Sequence, residues 1–174
     1  MNILKLELTH FGKFHLKTIT FTSGLNIVYG KNEAGKSTIH AFVRSMLFGI
    51  PDTEEGNERY SHYLPWETPH DFCGRMWIKK DDKVYRIERN FLRPQPTVRI
   101  FDDETDESLQ PAKQHLRQIL SGLTETSYLN TICIEQLKSA TDPQLAKELE
   151  DMAVNASQSK NLNIDVKQAK QELL

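Results

Sequence analysis

Apolar and polar side chains alternate from the start of the chain. Leu4, Leu6 and Leu8 are separated by Lys5 and Glu7, and Ile19 and Phe21 resume the alternation beyond Gly12. A period of two belongs to a strand with one buried face, so a β-hairpin is expected to open the fold. Ser23 and Gly24 mark a turn into Leu25, Asn26, Ile27, Val28 and Tyr29, an apolar run rich in β-formers that stops at Gly30 and reads as a buried strand. From Lys36 the period changes. Ile39, Phe42, Val43, Met46, Leu47 and Ile50 recur at helical spacing, and Gly49 with Pro51 supplies the stop.

The stretch 51–72 is polar and aromatic, carries Pro51, Pro65 and Pro69, and reads as a long irregular excursion. Strands are predicted over 74–80 and 84–91, joined by the turn Asp81-Asp82-Lys83, and a third over 97–101 runs into an acidic turn from Asp102 to Glu107. Together they form a meander. A helix over 111–120 closed by Gly122 follows, then a short helix capped by Thr124 and a strand-like stretch over 131–135. Asp142 with Pro143 is a helix start, and Leu145, Leu149, Met152 and Ala156 form a heptad seam that Leu162, Val166, Ala169 and Leu173 repeat. That pattern runs to the last residue, so a longer native coiled coil is expected to continue it. The expected organisation is a lobe over 1–140 and the beginning of a coiled coil over 141–174.

Composition narrows the class. A chain of 174 residues, 38% hydrophobic and 26% charged with a net charge of −2, has the make-up of one soluble globular domain with a tail. The basic excess that would draw a whole domain to DNA is lacking, although a local basic stripe stays open. Cys73 and Cys133 form no CxxC pair, which suggests neither a zinc site nor a disulfide framework and fits a reducing compartment. No leader pattern and no stretch of membrane-spanning length occur, so the expected setting is the cytoplasm, with no membrane partner.

The chemistry is carried by Gly30-Lys31-Asn32-Glu33-Ala34-Gly35-Lys36-Ser37-Thr38, which satisfies the phosphate-loop pattern GxxxxGK[ST]. Glycines at 30 and 35 let successive amide N–H groups point inward around phosphate oxygens, and the following helix adds its unpaired donors and positive dipole end. Lys36 brings a full positive charge to the β- and γ-phosphates, and Ser37 offers a hydroxyl to Mg²⁺. Chance alone gives this pattern in roughly one chain of this length in a hundred or fewer. Its position between a predicted strand and a predicted helix is the context the mechanism needs. The expected ligand is ATP with Mg²⁺.

Around this loop the chain resembles the N-terminal half of the ATPase head of the SMC, RecF and SbcC group of ABC-type ATPases, and within it the YhaN-like AAA proteins associated with double-strand break repair. The resemblance rests on Phe11-Gly12-Lys13-Phe14, on residues 25–30 leading into the loop, on residues 32–38, on Tyr63-Leu64-Pro65-Trp66, on Tyr85-Arg86-Ile87-Glu88-Arg89 and on Ile134-Glu135-Gln136-Leu137. The wider group usually has Gly where this chain has Glu33. The resemblance implies an α/β fold, the N-terminal lobe of an ABC- or SMC-type P-loop NTPase with an antiparallel meander. It further implies that Gln136 is the Q-loop glutamine contacting Mg²⁺ and the attacking water, that Lys13 places a basic group near the phosphates, and that Asn32 approaches the γ-phosphate. The implied partners are a C-terminal lobe of the same protein, a second copy across an ATP sandwich, DNA and a nuclease.

Two further matches are set aside. Residues 98–104 imitate a Walker B strand, yet Arg99 breaks the apolar run and the acids continue through Asp106 and Glu107 as in a turn. Residues 120–123 imitate an LSGG signature, yet they follow a helix that Gly122 would cap. Without these motifs the chain by itself is expected to bind nucleotide better than it hydrolyses it. The six histidines show no metal spacing. Tyr60, Tyr63 and Trp66 have the chemistry to stack a base, and packing of the excursion onto the core is the favoured reading. The alternatives are a self-contained P-loop enzyme or a non-hydrolysing coiled-coil interaction module. A GTPase lacks its NKxD motif here, and Arg86, Arg89, Arg93 and Arg99 fall on predicted strands or their ends and not in a kinase lid.

Overall fold

The computed structural model describes residues 1–133. They belong to two compact units, Met1–Ser121 and Gly122–Leu174. The first unit carries β1 (Asn2–Phe11), β2 (Phe14–Thr20), α1 (Lys36–Phe48), α2 (Glu54–Tyr63), β3 (Cys73–Lys80), β4 (Lys83–Asn90), β5 (Thr97–Asp102) and α3 (Ala112–Ile119). Its five strands form one antiparallel sheet in the order β2-β1-β3-β4-β5. The opening hairpin and the meander thus join edge to edge through β1 and β3.

The alternation of side chains decides which face of the sheet is covered. Leu6, Met76, Ile87 and Ile100 stand in one row across β1, β3, β4 and β5, and all four are fully buried. Helix α1 lies on this face against β1, β3 and β4 with Phe42, Met46 and Leu47 inward. Gly74 makes the close approach possible, because a Cβ there would stand 2.4 Å from the Phe42 ring and 2.8 Å from the Glu7 carbonyl. Phe11, Phe72 and Phe91 extend the core, their centroids 5.1 to 5.6 Å apart.

One residue along, the row flips to the other face and its chemistry inverts. Glu7, Arg75, Glu88 and Arg99 stand across the same strands, joined by ion pairs of 3.5, 3.3 and 3.0 Å. Arg86 adds a contact of 3.2 Å to Glu88. Single exposed pairs contribute little, but here one half-buried carboxylate, Glu88, serves three guanidinium groups.

Three local expectations are corrected. Within the supposed irregular excursion lies α2, started by Thr53, whose hydroxyl accepts from Gly56 N–H at 3.1 Å, and by Glu54 and Glu55 in the first turn, where the helix dipole favours acids. Residues 25–29 form no strand: the Asn26 side chain bonds Thr22 and Gly24 in a local loop, and residues 25–29 have no ladder partner among those described. A strand without a neighbour has nowhere to direct its N–H and C=O groups. Leu25, Ile27 and Tyr29 consequently stand 87%, 78% and 92% exposed.

The third correction lies in the second unit. It holds α4 (Glu125–Ser127), capped by Thr124, and a π-helical turn, Tyr128–Ile132, in place of the start of the strand expected over 131–135. Asn130 and Thr131 donate to the carbonyls of Thr126 and Ser127 at 2.8 and 2.6 Å, and Cys133 N–H reaches back to Tyr128 at 2.9 Å. These back-bonds hold the chain coiled where its β-branched residues favour extension. Gln136, the helix start at Asp142 and the heptad seam lie outside the described residues.

Candidate nucleotide-binding site

The loop from Gly30 to Thr38 is built by two turns, each with a residue in the left-handed region, Glu33 and Gly35. Ala34 N–H donates to Lys31 C=O at 3.1 Å, closing a turn in which Asn32 and Glu33 are central, and Glu33 sits at φ 66. That left-handed conformation favours glycine, which is what the resembling proteins usually place there. Gly35 then takes φ 98 as the residue preceding α1, and a Cβ on it would stand 2.4 Å from the Phe14 ring. Neither conformation nor space admits a side chain at 35.

Helix α1 begins here without a side-chain cap and without an acid in its first turn. The first helical bond runs from Ile39 N–H to Gly35 C=O at 3.0 Å, so the N–H groups of Lys36, Ser37 and Thr38 precede every intrahelical acceptor. An uncapped helix start is an anion site by its donors and its dipole. The Lys36 ammonium folds back over the same loop, donating to Gly30 C=O at 2.7 Å and Lys31 C=O at 2.9 Å. Ser37 is exposed at the second helical position, where its hydroxyl is free to face a cation beside a bound anion. These groups fit a phosphate chain with Mg²⁺.

The β1–β2 hairpin tip forms the loop's second wall. Lys13 Nζ donates to the Glu33 carbonyl, Phe14 lies against Gly35, and a Cβ at Gly12 would stand 3.0 Å from the Thr38 methyl. Gly12 N–H in turn donates to Tyr63 C=O at 2.7 Å, which seats the tip on the end of α2. Lys13 therefore joins residues 30–38 in one cluster. The Asn32 side chain is exposed at the turn.

Two residues to which the sequence assigned no part in the site hold α1 from its far end. Arg89 on β4 donates to Met46 C=O at 2.7 Å and Leu47 C=O at 3.3 Å, and Arg59 on α2 donates to Gly49 C=O at 3.1 Å. Burial pushes the Arg89 guanidinium down to about 10. Cations at a helix C-terminus complement its dipole, so these arginines anchor the helix whose other end faces the phosphates. Their role depends on which carbonyls they meet, and no spacing along the chain encodes that.

The acidic turn after β5 is occupied by structural contacts. Asp103 accepts from Trp77 Nε1 at 2.9 Å and Arg86 at 3.3 Å, Asp106 accepts from Arg86 at 2.5 Å, and Asp102 pairs with Lys83 at 3.3 Å. Its carboxylates behave as the turn reading expects. Residues 120–123 follow α3, with Ser121 and Gly122 at positive φ. Arg86, Arg89 and Arg99 are on strands and Arg93 follows β4, so these four form no mobile lid.

The family model described as AAA domain matches residues 1–153. Over 56 residues, 32% of the chain, the sequence is 43% identical to "Uncharacterized protein YhaN" of Bacillus subtilis. Over 146 residues, 78% of the chain, it is 26% identical to "DNA double-strand break repair Rad50 ATPase" of Thermococcus kodakarensis. These matches span 6% and 15% of the two relatives' own lengths.

Proposed function

The chain belongs to the AAA domain family, and from that membership we propose that it binds the triphosphate of ATP, with Mg²⁺, in the loop from Gly30 to Thr38. The observation that carries the proposal is the start of α1: a buried Gly35 at φ 98, no side-chain cap, and the Lys36 ammonium folded over the loop. Lys36 and the leading amides of α1 hold the phosphates. Lys13 adds a second ammonium from the hairpin, Asn32 and Glu33 shape the turn, and Ser37 and Gln136 hold the metal ion. Mg²⁺ supplies neutralisation of charge across the phosphate oxygens.

In the whole protein this domain is the N-terminal lobe of an SMC-like ATPase. A second lobe supplies the remaining catalytic motifs, two heads close over ATP, and hydrolysis is coupled to DNA-end processing together with a nuclease. The exposed residues 25–29 support this reading, because an apolar, β-forming run left without a neighbour in this lobe is suited to pairing with strands contributed from elsewhere. The chain by itself binds nucleotide without efficient turnover.

The test is Lys36→Ala. One charge-assisted contact to phosphate corresponds to a loss of affinity of roughly 10- to 100-fold. Calorimetry with ATP should register that loss while circular dichroism stays unchanged. Equal affinity in the two proteins would remove Lys36 from the site.

A further inference from the structure

Within the loop from Gly30 to Thr38, Glu33 alone carries a side chain at positive φ, 66. Left-handed backbone is disfavoured by roughly 5- to 30-fold in population for a residue with a Cβ. Such a conformation persists only where neighbouring groups hold it.

Two contacts hold this one, at the two polar ends of a single peptide unit. The Glu33 carbonyl accepts from Lys13 Nζ, and the N–H of the same unit, that of Ala34, donates to Lys31 C=O at 3.1 Å. The second contact is the loop's own. The first comes from outside the loop, from the tip of the β1–β2 hairpin.

An exposed lysine on a carbonyl is ordinarily a minor contact, because a long flexible side chain gives up its freedom to make it. The setting of Lys13 is different. Gly12 N–H is bound to Tyr63 C=O at 2.7 Å, a Cβ at Gly12 would stand 3.0 Å from the Thr38 methyl, and the Phe14 ring lies against Gly35. The residues on both sides of Lys13 are therefore fixed, one to the end of α2 and both against the loop. Its stem starts from a settled position beside the carbonyl that it meets.

Rotation of Glu33 out of the left-handed region would swing this peptide unit away from Lys31, directly ahead of Gly35 and the uncapped start of α1. A loop in that form points its donors elsewhere, and apparent affinity falls in proportion to the fraction of molecules that keep the competent form.

We infer that Lys13 is a positioning residue, which holds the turn at Glu33 in its left-handed form and whose effect on nucleotide affinity depends on the side chain at 33. Its bearing on affinity rests on the loop binding the nucleotide's phosphates. Glycine adopts the left-handed form as readily as the right-handed one, so with glycine at 33 the ammonium would contribute little beyond its charge.

The test is a cycle of four versions of the full chain: unaltered, Lys13→Met, Glu33→Gly and the two together, each titrated with ATP and Mg²⁺ by calorimetry. Lys13→Met should lose about tenfold in affinity with Glu33 in place and no more than about threefold in the Glu33→Gly background. Lys13→Arg, which keeps a cationic donor, should recover part of the larger loss. A second measurement needs no nucleotide. Hydrogen exchange at the Ala34 amide should quicken several-fold in Lys13→Met with Glu33 in place and change little in the Glu33→Gly background. Equal affinity losses in the two backgrounds would put Lys13 on the phosphates directly and overturn the inference, and so would no loss in either. If ATP binds none of the four proteins, the phosphate reading fails by itself, and Ala34 exchange decides the hold on the turn: equal rates with and without the Lys13 ammonium overturn it.

Discussion

The sheet and the segment that leads from it into the phosphate loop are adjacent in sequence and opposite in how their groups are satisfied. On the sheet, the row Leu6, Met76, Ile87, Ile100 is fully buried under α1, and the next row, Glu7, Arg75, Glu88, Arg99, is joined by ion pairs. Between Leu25 and Gly35 the apolar side chains face solvent, the helix that follows starts without a cap, and Lys36 donates to the carbonyls of its own loop. The first region is complete by itself. The second has its apolar side chains exposed and its helix start uncapped, which is the condition the proposed binding of nucleotide and of a second lobe requires. Stability and function are thus separated within one unit, and each can be altered without the other.

The largest effect should come from the sheet side. Phe42 is fully buried, meets Phe11 at a centroid distance of 5.1 Å and fills the space left by Gly74. Phe42→Ala should lower stability by about 3–5 kcal/mol through lost transfer energy and the cavity left behind. Urea unfolding measures it. A loss under 1 kcal/mol would mean that α1 is loosely held and that the contrast between the two regions is not real.

Legibility in the sequence follows the same division. The hairpin, the meander and α1 were readable because each buries one face, and periods of two and 3.6 record that burial directly. The phosphate loop was readable for another reason: glycines at 30 and 35 and the lysine after them are demanded by local chemistry. Helix α2 was missed because its inward residues are Gly56, Arg59, Tyr60 and Tyr63, a set with no aliphatic stripe, although Thr53 ahead of two glutamates was a visible cap. Residues 25–29 misled because β-propensity reports how well side chains fit a sheet and says nothing about whether a neighbouring strand is at hand. Lys13 reached the site through family resemblance. The anchoring role of Arg59 and Arg89 was not legible, although Arg89 lies in a stretch that carries the resemblance, since the carbonyls they meet are 10 and 42 or more residues away.

An intermediate effect should depend on pH and arise at the far edge of the sheet. Burial by itself would raise the Asp102 carboxyl, but the N–H groups of Glu104 and Thr105 and the Lys83 ammonium outweigh it and hold it below its usual range. The hydrogen bond to Asp102 pushes Lys83 up in return. A carboxyl depressed in the folded state contributes stability that is present above its unfolded value and lost as pH falls through the folded one. Asp102→Asn should therefore melt below the unaltered protein at pH 7, and the gap should close on acidification below about pH 4. A gap that stays constant would assign the effect to shape and not to charge.

The smallest effect is the one that tests the open region most directly. Ile27 is 78% exposed and pairs with no strand among the described residues. Ile27→Ser should leave the unfolding free energy within about 0.5 kcal/mol, the range of surface substitutions remote from any packed feature. An isoleucine in an ordinary buried strand would give several times that on losing its side chain, so thermal unfolding distinguishes the two cases cleanly. A near-zero result has a further consequence: an apolar side chain that contributes nothing to the isolated domain has its role in contact with something else, and the same substitution should then weaken association with a second lobe supplied in trans. A loss of 2 kcal/mol or more in the isolated chain would place Ile27 in a packed environment and dissolve the contrast between a closed sheet and an open segment.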